Sequence, residues 1–445
     1  MFESLVPFQV AHRFDDRVTQ LVDVVVEAVG DTHLVIGFPT GKATAIDFNT
    51  TAPAAARADM FPLDAQGRVR GGVNSHGWLA AGVPGTLAGL QLAIKRFGTR
   101  SLAQALEPAI GFTRDGFAID AGQARALRAA VEAFKRDPAS VKLLFADGMP
   151  LGEGKTFRNP DLAALLERLA RDNSVADFYR GETARKITDE FRQHGGLVTE
   201  QDLAAYEAHE VSPLALEWNG GTILTAPLTA GGLSVLQALA TLKSLGWEKL
   251  DPADPKTTQA RVEALRLAWN DRLTLLGDPE ATRVPVERLM SEEYAEASAG
   301  RVRQSVRERR LIPGSSDGRP AGGTIHLSAV DKSGLMVALT LTHGEGFGAR
   351  VTVEGLGLIL GHGMSRFNPR PGHPNSVQPG GHPLDNMCPT LVYRQNRPVI
   401  VLGATGGRRI PNTLYDVLVH LVGRNESSAA AAAAPRMHTE GDATL

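Results

Sequence analysis

The chain has 445 residues, 43% hydrophobic and 22% charged. That is ordinary globular composition at a length where two domains or one large layered domain are the options. Lys and Arg number 47 against 49 Asp and Glu, for a net charge of −2, so no basic field recommends nucleic acid or an anionic membrane as a partner. The single cysteine, Cys388, excludes an internal disulfide, and no apolar run approaches the ~18 residues that span a bilayer.

In chain order, the opening MFESLVPFQVAHRFDD lacks the basic-then-apolar layout of a secretory signal. Residues 16–29, DRVTQLVDVVVEAV, read as a helix despite their β-branched run. LVIGF and ATAIDF flank PTGK as a hairpin. The stretch from Ser75 runs into a helix that Gly98 ends as a C′ residue, and Ser101 with Gln104 has capping-box spacing for the next. Asn159–Pro160 opens DLAALLERLA with proline at the first helical position. ARKITDEFRQHGG is a helix with a glycine stop, and Thr199 caps TEQDLAAY. TILTA is a strand before the helix GGLSVLQALATLKSLG, and ARVEALRLAWNDRLTLLG is the longest helical pattern.

From residue 324 the texture changes. TIHLS, MVALTLT, RVTVEG, LGLIL, PTLVYR and PVIVLGA are strand signals between Gly and Pro clusters, with RRLIPGSSDGRPAGG (309–323) as the join. Helices first and strands afterwards point to strands stacked into sheets with helices outside. SSAAAAAA (427–434) is low complexity, and the tail beyond it reads as unanchored.

Familiar enzyme signatures are absent. There is no HExxH, no cysteine pair and no GxSxG elbow. His362, His373 and His382 share one Gly/Pro-rich stretch, but their spacing matches no ligand motif, so they read as solvated loop histidines and no metal is expected. FPTGKAT has Ala43 where a phosphate loop needs Ser or Thr, and GEGFGA (344–349) lacks the strand–helix setting of a dinucleotide loop.

The junction AGGTIHLSAVDKSG (321–334) holds the remaining candidate chemistry. By itself GGT before a strand reads as a turn. A threonine hydroxyl becomes a good nucleophile only when a base takes its proton. A threonine that starts a chain carries that base as its own α-amine, which titrates at about 7.7. An internal Thr324 reaches that state only if the preceding peptide bond is cut. Gly322 and Gly323 would ease the cut by tolerating strained backbone.

The segment TIHLSAVDKSGLMVALTLT followed by FG resembles the nucleophile segment of the γ-glutamyltranspeptidase family, with Thr324, His326, Ser328, Asp331 and Thr342 on its pattern. NMCPT and GATGGRRI resemble the family's later blocks. TAPAAA, GVPGTLAGL, EPAIGFTRDGF, GGLVTEQDLAAY, DRLTLLGDP and LMSEEYA resemble its upstream landmarks in family order. Together they cover roughly residues 45 to 438.

The resemblance implies an α+β, αββα sandwich of the N-terminal-nucleophile hydrolase type, made as a precursor that cuts itself between Gly323 and Thr324. It implies a helix-rich large-subunit-like region, 1–323, and a strand-rich small-subunit-like region, 324–445, joined as a heterodimer of the two fragments. Thr324 would be nucleophile and base, Thr342 would hold its amine or hydroxyl, and Gly406 and Gly407 would form an oxyanion hole. The substrates would be a small-molecule amide and a water or amine acceptor, without a cofactor. Read without the resemblance, Thr342 is a strand threonine, Gly406–Gly407 is a tight turn, Asp331 with Gly334 is a hairpin turn, and His326 is structural.

Departures from the family pattern fall on substrate recognition. The family's carboxylate-binding arginine position is Ala58, with Arg57 one residue earlier, a shift of ~3.5 Å on an extended chain. The asparagine two after the second threonine is Gly344, the acid that takes the glutamyl amine is Arg366, and the paired serines are Asp385 and Asn386. The expected pocket, bordered by Arg57, Arg366, Asp385 and Asn386, therefore favours an acyl group without an α-amine, such as glutaryl. EAVGDTHL stands where the family has a Gly-rich start, and the chain stops soon after PRMH, so both ends read as short and sheet edges are expected to be left unpaired. The alternatives are an uncleaved, inactive family remnant acting as a binding protein, and a structural protein with an innocent turn threonine. The compartment stays open, because family members are commonly exported while this start shows no signal.

Overall fold

The computed structural model describes residues 30–314 and 323–441. The helix expected over 16–29 and the junction glycine Gly322 lie outside them. The PTGK hairpin forms between β1, Asp31–Gly37, and β2, Ala43–Asp47. Three strands follow in the middle of the chain: β3, His209–Val211, β4, Leu214–Trp218, and β5, Gly221–Thr225. After the junction come β6, Gly323–Val330, and β7, Met336–Gly344, and later β8, Thr390–Arg394, and β9, Arg397–Leu402.

These strands build two antiparallel sheets, ordered β6-β7-β1-β2-β3 and β9-β8-β5-β4. Strands from before residue 300 thus enter both sheets, more than the helix-rich texture of that region suggested. The β6–β7 hairpin turns at Asp331, whose Oδ1 accepts the Ser333 and Leu335 N–H groups at 2.8 and 3.0 Å, with Gly334 at φ +90°.

The sheets pack through small and branched side chains. Ala45, Val35 and Ala338 sit side by side in register and meet Leu391 and Tyr393 of the second sheet. At Gly37 the sheets approach closely, since a Cβ there would lie 2.7 Å from Leu391 and Tyr393 side-chain atoms. The outer face of the first sheet, with Leu34, Ile36, Leu339 and Leu341, is covered by helices α1, Thr86–Phe97, α2, Leu102–Asp115, α3, Pro160–Asp172, and α4, Glu182–Gln193. The outer face of the second, with Ile223, Val392 and Leu402, is covered by α5, Gly232–Leu245, α6, Pro255–Leu275, α7, Glu292–Glu308, and α8, Arg409–Leu418. This is an αββα sandwich.

Local chemistry sets the helix ends. Ser101 and Gln104 exchange side-chain and backbone bonds as a capping box, as do Thr199 and Asp202, and the Asn159 side chain caps α3 with Pro160 at its first position. Gly98 ends α1 differently from expectation. Its φ is −77°, and glycine is needed because a Cβ would lie 2.7 Å from the Ile94 carbonyl oxygen.

Two expectations are corrected. RVTVEG and LGLIL yield only a two-stranded ribbon, Thr352–Val353 with Leu358–Ile359, apart from both sheets. Residues 435–441 are anchored: Met437 N–H donates to Asp416 at 2.7 Å, Asn412 donates to the Thr439 carbonyl at 2.8 Å, and Arg408 pairs with Glu440 at 2.9 Å. No helix among the described residues is long and apolar enough to cross a membrane.

Candidate active site

The inner face of the first sheet changes from apolar to polar along its length. Beyond the Ala45–Val35–Ala338 row comes the row Asp47, His33, Thr340 and His326, and beyond that Asp31 lies opposite Thr342. The alternation of β1 explains the placement, because 31, 33, 35 and 37 share one face. Here the sandwich opens into a cavity of about 370 Å³ bordered by Thr324, Thr342, His362, Arg366, Asp385, Asn386 and Gly407, among others.

Thr324 and Thr342 meet across the β6–β7 hairpin. Thr324 Oγ1 donates to Thr342 Oγ1 at 3.2 Å, and Thr342 Oγ1 in turn donates to the Gly323 carbonyl oxygen. The Gly344 N–H donates to Thr342 Oγ1 at 2.9 Å, so that hydroxyl is held from both sides. A register shift between Gly323 and Ile325, with Gly344 at φ +98°, brings β7 around the junction. Gly323 pairs with Gly344, and a Cβ on it would find its nearest neighbour at 3.6 Å, an ordinary contact, so packing alone does not demand glycine there.

His326 bonds Thr340 Oγ1 at 2.8 Å and Ser328 Oγ at 3.0 Å, and its ring fills the space a side chain on Gly403 would need. Burial pushes its pKa down to about 4. Gly406 and Gly407, at φ +113° and +61°, form the turn into α8. A helix start presents unpaired N–H groups and a positive dipole end, which suits a developing oxyanion. Gly407 borders the cavity, with Gly406 just before it.

The sequence matches the Gamma-glutamyltranspeptidase family over residues 27–443. The chain belongs to that family. It is 33% identical to the glutathione hydrolase proenzyme of Escherichia coli (strain K12) over 92% of this chain and 73% of that protein. It is 31% identical to the acylase ACY 1 proenzyme of Pseudomonas sp. (strain SE83) over 90% of this chain and 72% of that one. The crystal structure of cephalosporin acylase from Bacillus halodurans superposes with a TM-score of 0.82 at 25% identity, covering 95% of this chain and 77% of that one. The protein is thus a γ-glutamyltranspeptidase- or acylase-type enzyme of the N-terminal-nucleophile hydrolase and transferase class.

Within this γ-glutamyltranspeptidase-family cavity, the four expected recognition residues divide. Arg366 borders the cavity and forms an ion pair with Asp31 of β1, which is 2% exposed. Burial lifts the Asp31 pKa to about 6 against the opposing pull of Arg366. Asp385 also borders the cavity, but its carboxylate is committed to the wall: Oδ2 bonds His33 at 2.6 Å and Oδ1 accepts the Met387 N–H at 2.6 Å. Asn386 borders the cavity and accepts a bond from Arg272 at 3.3 Å. Arg57 is the exception. Its side chain is 74% exposed and pairs with Asp59 at 3.2 Å, outside the cavity lining, because the turn from Pro53 to Met60 directs it into solvent.

Several residues at the site escaped the sequence reading. Asp31 and His33 sat in EAVGDTHL, read only as standing where the family has a Gly-rich start, although their spacing from Val35 and Gly37 puts all four on one face of a strand. His33 is buried between Asp385 and Asp47, the latter at 3.5 Å; burial works against its charge, yet the two carboxylates raise its pKa to about 9. Trp269 of α6 borders the cavity between Arg272 and Arg408, whose guanidinium carbons lie 5.9 and 5.8 Å from its ring centroid. Of the three histidines read as solvated, His362 is buried beside Thr342, and His373 bonds the Leu273 carbonyl at 2.8 Å. No group of three or more His, Cys, Asp or Glu among the described residues is arranged to hold a metal ion.

Proposed function

We propose that this enzyme cuts its own chain between Gly323 and Thr324 and then transfers an acyl group from an amide donor to water or an amine through an ester on Thr324. The observation that carries this is the Thr342 hydroxyl, which links the Thr324 hydroxyl to the Gly323 carbonyl on the wall of the cavity. In the precursor, Thr324 Oγ1 adds to the Gly323 carbonyl carbon while Thr342 polarises its oxygen. The Gly323–Thr324 C–N bond breaks, leaving an ester on Thr324 and a free α-amine. Water then hydrolyses the ester and leaves Thr324 as the first residue of the small-subunit-like fragment, the two fragments remaining together as a heterodimer.

In turnover, the freed amine takes the proton of Thr324 Oγ1 as it attacks the donor amide, and passes it to the departing amine. The N–H groups at Gly406 and Gly407 hold the oxyanion, a contribution that in acyl transfer is worth about 10²–10³ in rate per donor. Water or a second amine then takes the acyl group from Thr324.

The donor is a small amide whose acyl chain lacks an α-amine, such as a glutaryl amide. Arg366 borders the cavity and opposes an ammonium there, and the nearby carboxylates of Asp31 and Asp385 are already paired with Arg366 and His33. Purified protein run on a denaturing gel tests the first step: two fragments are expected, the smaller beginning at Thr324, and Thr324→Ala should leave one intact chain. An intact wild-type chain supports the uncleaved binding-protein reading instead. Assay of glutaryl-anilide against γ-glutamyl-anilide tests the second; a clear preference for the γ-glutamyl compound sinks it.

A further inference from the structure

Around Thr342 the carboxylates are turned onto cations. Asp31 pairs with Arg366, Glu345 with Arg350 at 3.3 Å, and Asp385 with His33 at 2.6 Å. Among these groups stands His362, which is 4% exposed and borders the cavity. Its Nδ1–H donates to the Ser75 carbonyl at 3.1 Å, and its Nε2 accepts the Glu345 N–H at 2.6 Å. That pair of bonds selects the neutral tautomer. Burial, followed by the nearby Arg366 charge, pushes its pKa down to about 3, so the ring stays neutral at working pH.

The position of the ring is fixed from the other side by a missing side chain. A Cβ on Gly344 would lie 1.7 Å from His362 Nε2, so the ring occupies the space into which residue 344 would otherwise project, two residues beyond Thr342. With both nitrogens bonded to backbone groups, the ring offers the cavity carbon and no free acceptor.

We propose that His362 is a specificity-determining residue, a neutral wall for the donor's acyl chain that selects chains bearing no amino group. An ammonium brought against it loses water, gains no acceptor and faces Arg366. A methylene chain loses nothing there. This rests on the acyl-transfer reading above, and names the side chain that sets its donor class.

Calorimetric titration of the purified full-length protein with glutarate and with L-glutamate separates the two. The wild type is expected to bind glutarate at least about tenfold more tightly. His362→Ala, which opens room and lets water reach the bound chain, should shrink that ratio by about tenfold. His362→Gln, whose amide can accept the Glu345 N–H and donate to the Ser75 carbonyl, should keep the ratio within about threefold of wild type. An unchanged ratio in the alanine variant overturns the proposal. If that variant does not fold, the glutamine variant decides, and a reversal toward glutamate overturns it. Failure of the wild type to bind either anion sinks the acyl-donor reading itself, and the proposal with it.

Discussion

The imidazole of His33 lies 2.6 Å from the carboxylate of Asp385, and both are 1% exposed. The bond ties the middle of the first sheet to the loop that walls the cavity, and Asp47 supports it from the far side of the ring. Replacing His33 with Leu leaves buried carboxylate without its cation, a loss on the order of 3–5 kcal/mol, measurable by urea denaturation. The folded pKa, about 9, is raised above the unfolded value of about 6.5. The stabilisation is therefore complete below about pH 6.5 and is lost as pH rises through 9, at up to about 1.4 kcal/mol per unit. The wild type should show this alkaline slope and His33→Leu should lack it. Equal slopes remove the ion pair from the account.

In the proposed self-cleavage Thr342 is the hinge, because its hydroxyl donates to the Gly323 carbonyl and accepts from Thr324 and Gly344. Thr342→Val keeps the shape and removes the hydroxyl. Cleavage followed by gel densitometry should slow by about 10²-fold, the scale for losing one donor to a developing oxyanion. Thr342→Ser should retain most of the rate. Cleavage of the valine variant at the wild-type rate would rule out this role.

Asp31 mutes the positive charge that Arg366 presents to the cavity. Asp31→Asn uncovers it, so KM for a glutaryl-anilide donor should fall by roughly three- to tenfold at low salt, and the gain should shrink as ionic strength rises. Because burial raises the Asp31 pKa to about 6, the wild type should itself bind the anionic donor better as pH falls through 6, a trend the asparagine variant loses. A KM that rises in Asp31→Asn at every salt concentration counts against an anionic acyl chain.

The juxtaposition of Thr324 and Thr342 came from the family resemblance, whereas the residues alone showed only the Asp331–Gly334 turn. Hairpin closure at that turn accounts for the contact between residues 18 apart. The capping residues Ser101, Asn159 and Thr199 were legible from local pattern. His33 was half legible: its spacing put it on the face of Val35 and Gly37, but its partner Asp385 lies 352 positions away and no local pattern names it. Arg57 misled because one-residue spacing cannot say which way a turn points a side chain. His362 misled because its loop reads as solvated, while the space that buries it exists only through the bare Cα of Gly344. Long-range compensation of this kind leaves no periodic signal.

His362 also shapes the acid stability of the protein. Its folded pKa, about 3, lies below the unfolded value of about 6.5, so the unfolded chain takes up a proton first as pH falls. Stability on this account is full above about pH 6.5 and is lost toward pH 3, at up to about 1.4 kcal/mol per unit. Asp31 and Asp416 pull the other way. Burial raises both carboxyl pKa values to about 6, so between about pH 6 and 4 the folded state takes up their protons more readily than the unfolded chain does. His326, which burial pushes down to about 4, acts with His362, so the two histidines and the two carboxylates nearly offset one another and the wild-type curve alone should look shallow in that window. His362→Gln removes one histidine from the balance. Its urea-derived stability should rise relative to wild type with each unit of acidification from pH 6.5 to 4, whatever the offset at neutral pH. A constant offset across that range would mean the ring is protonated in the folded protein and cannot be the neutral wall.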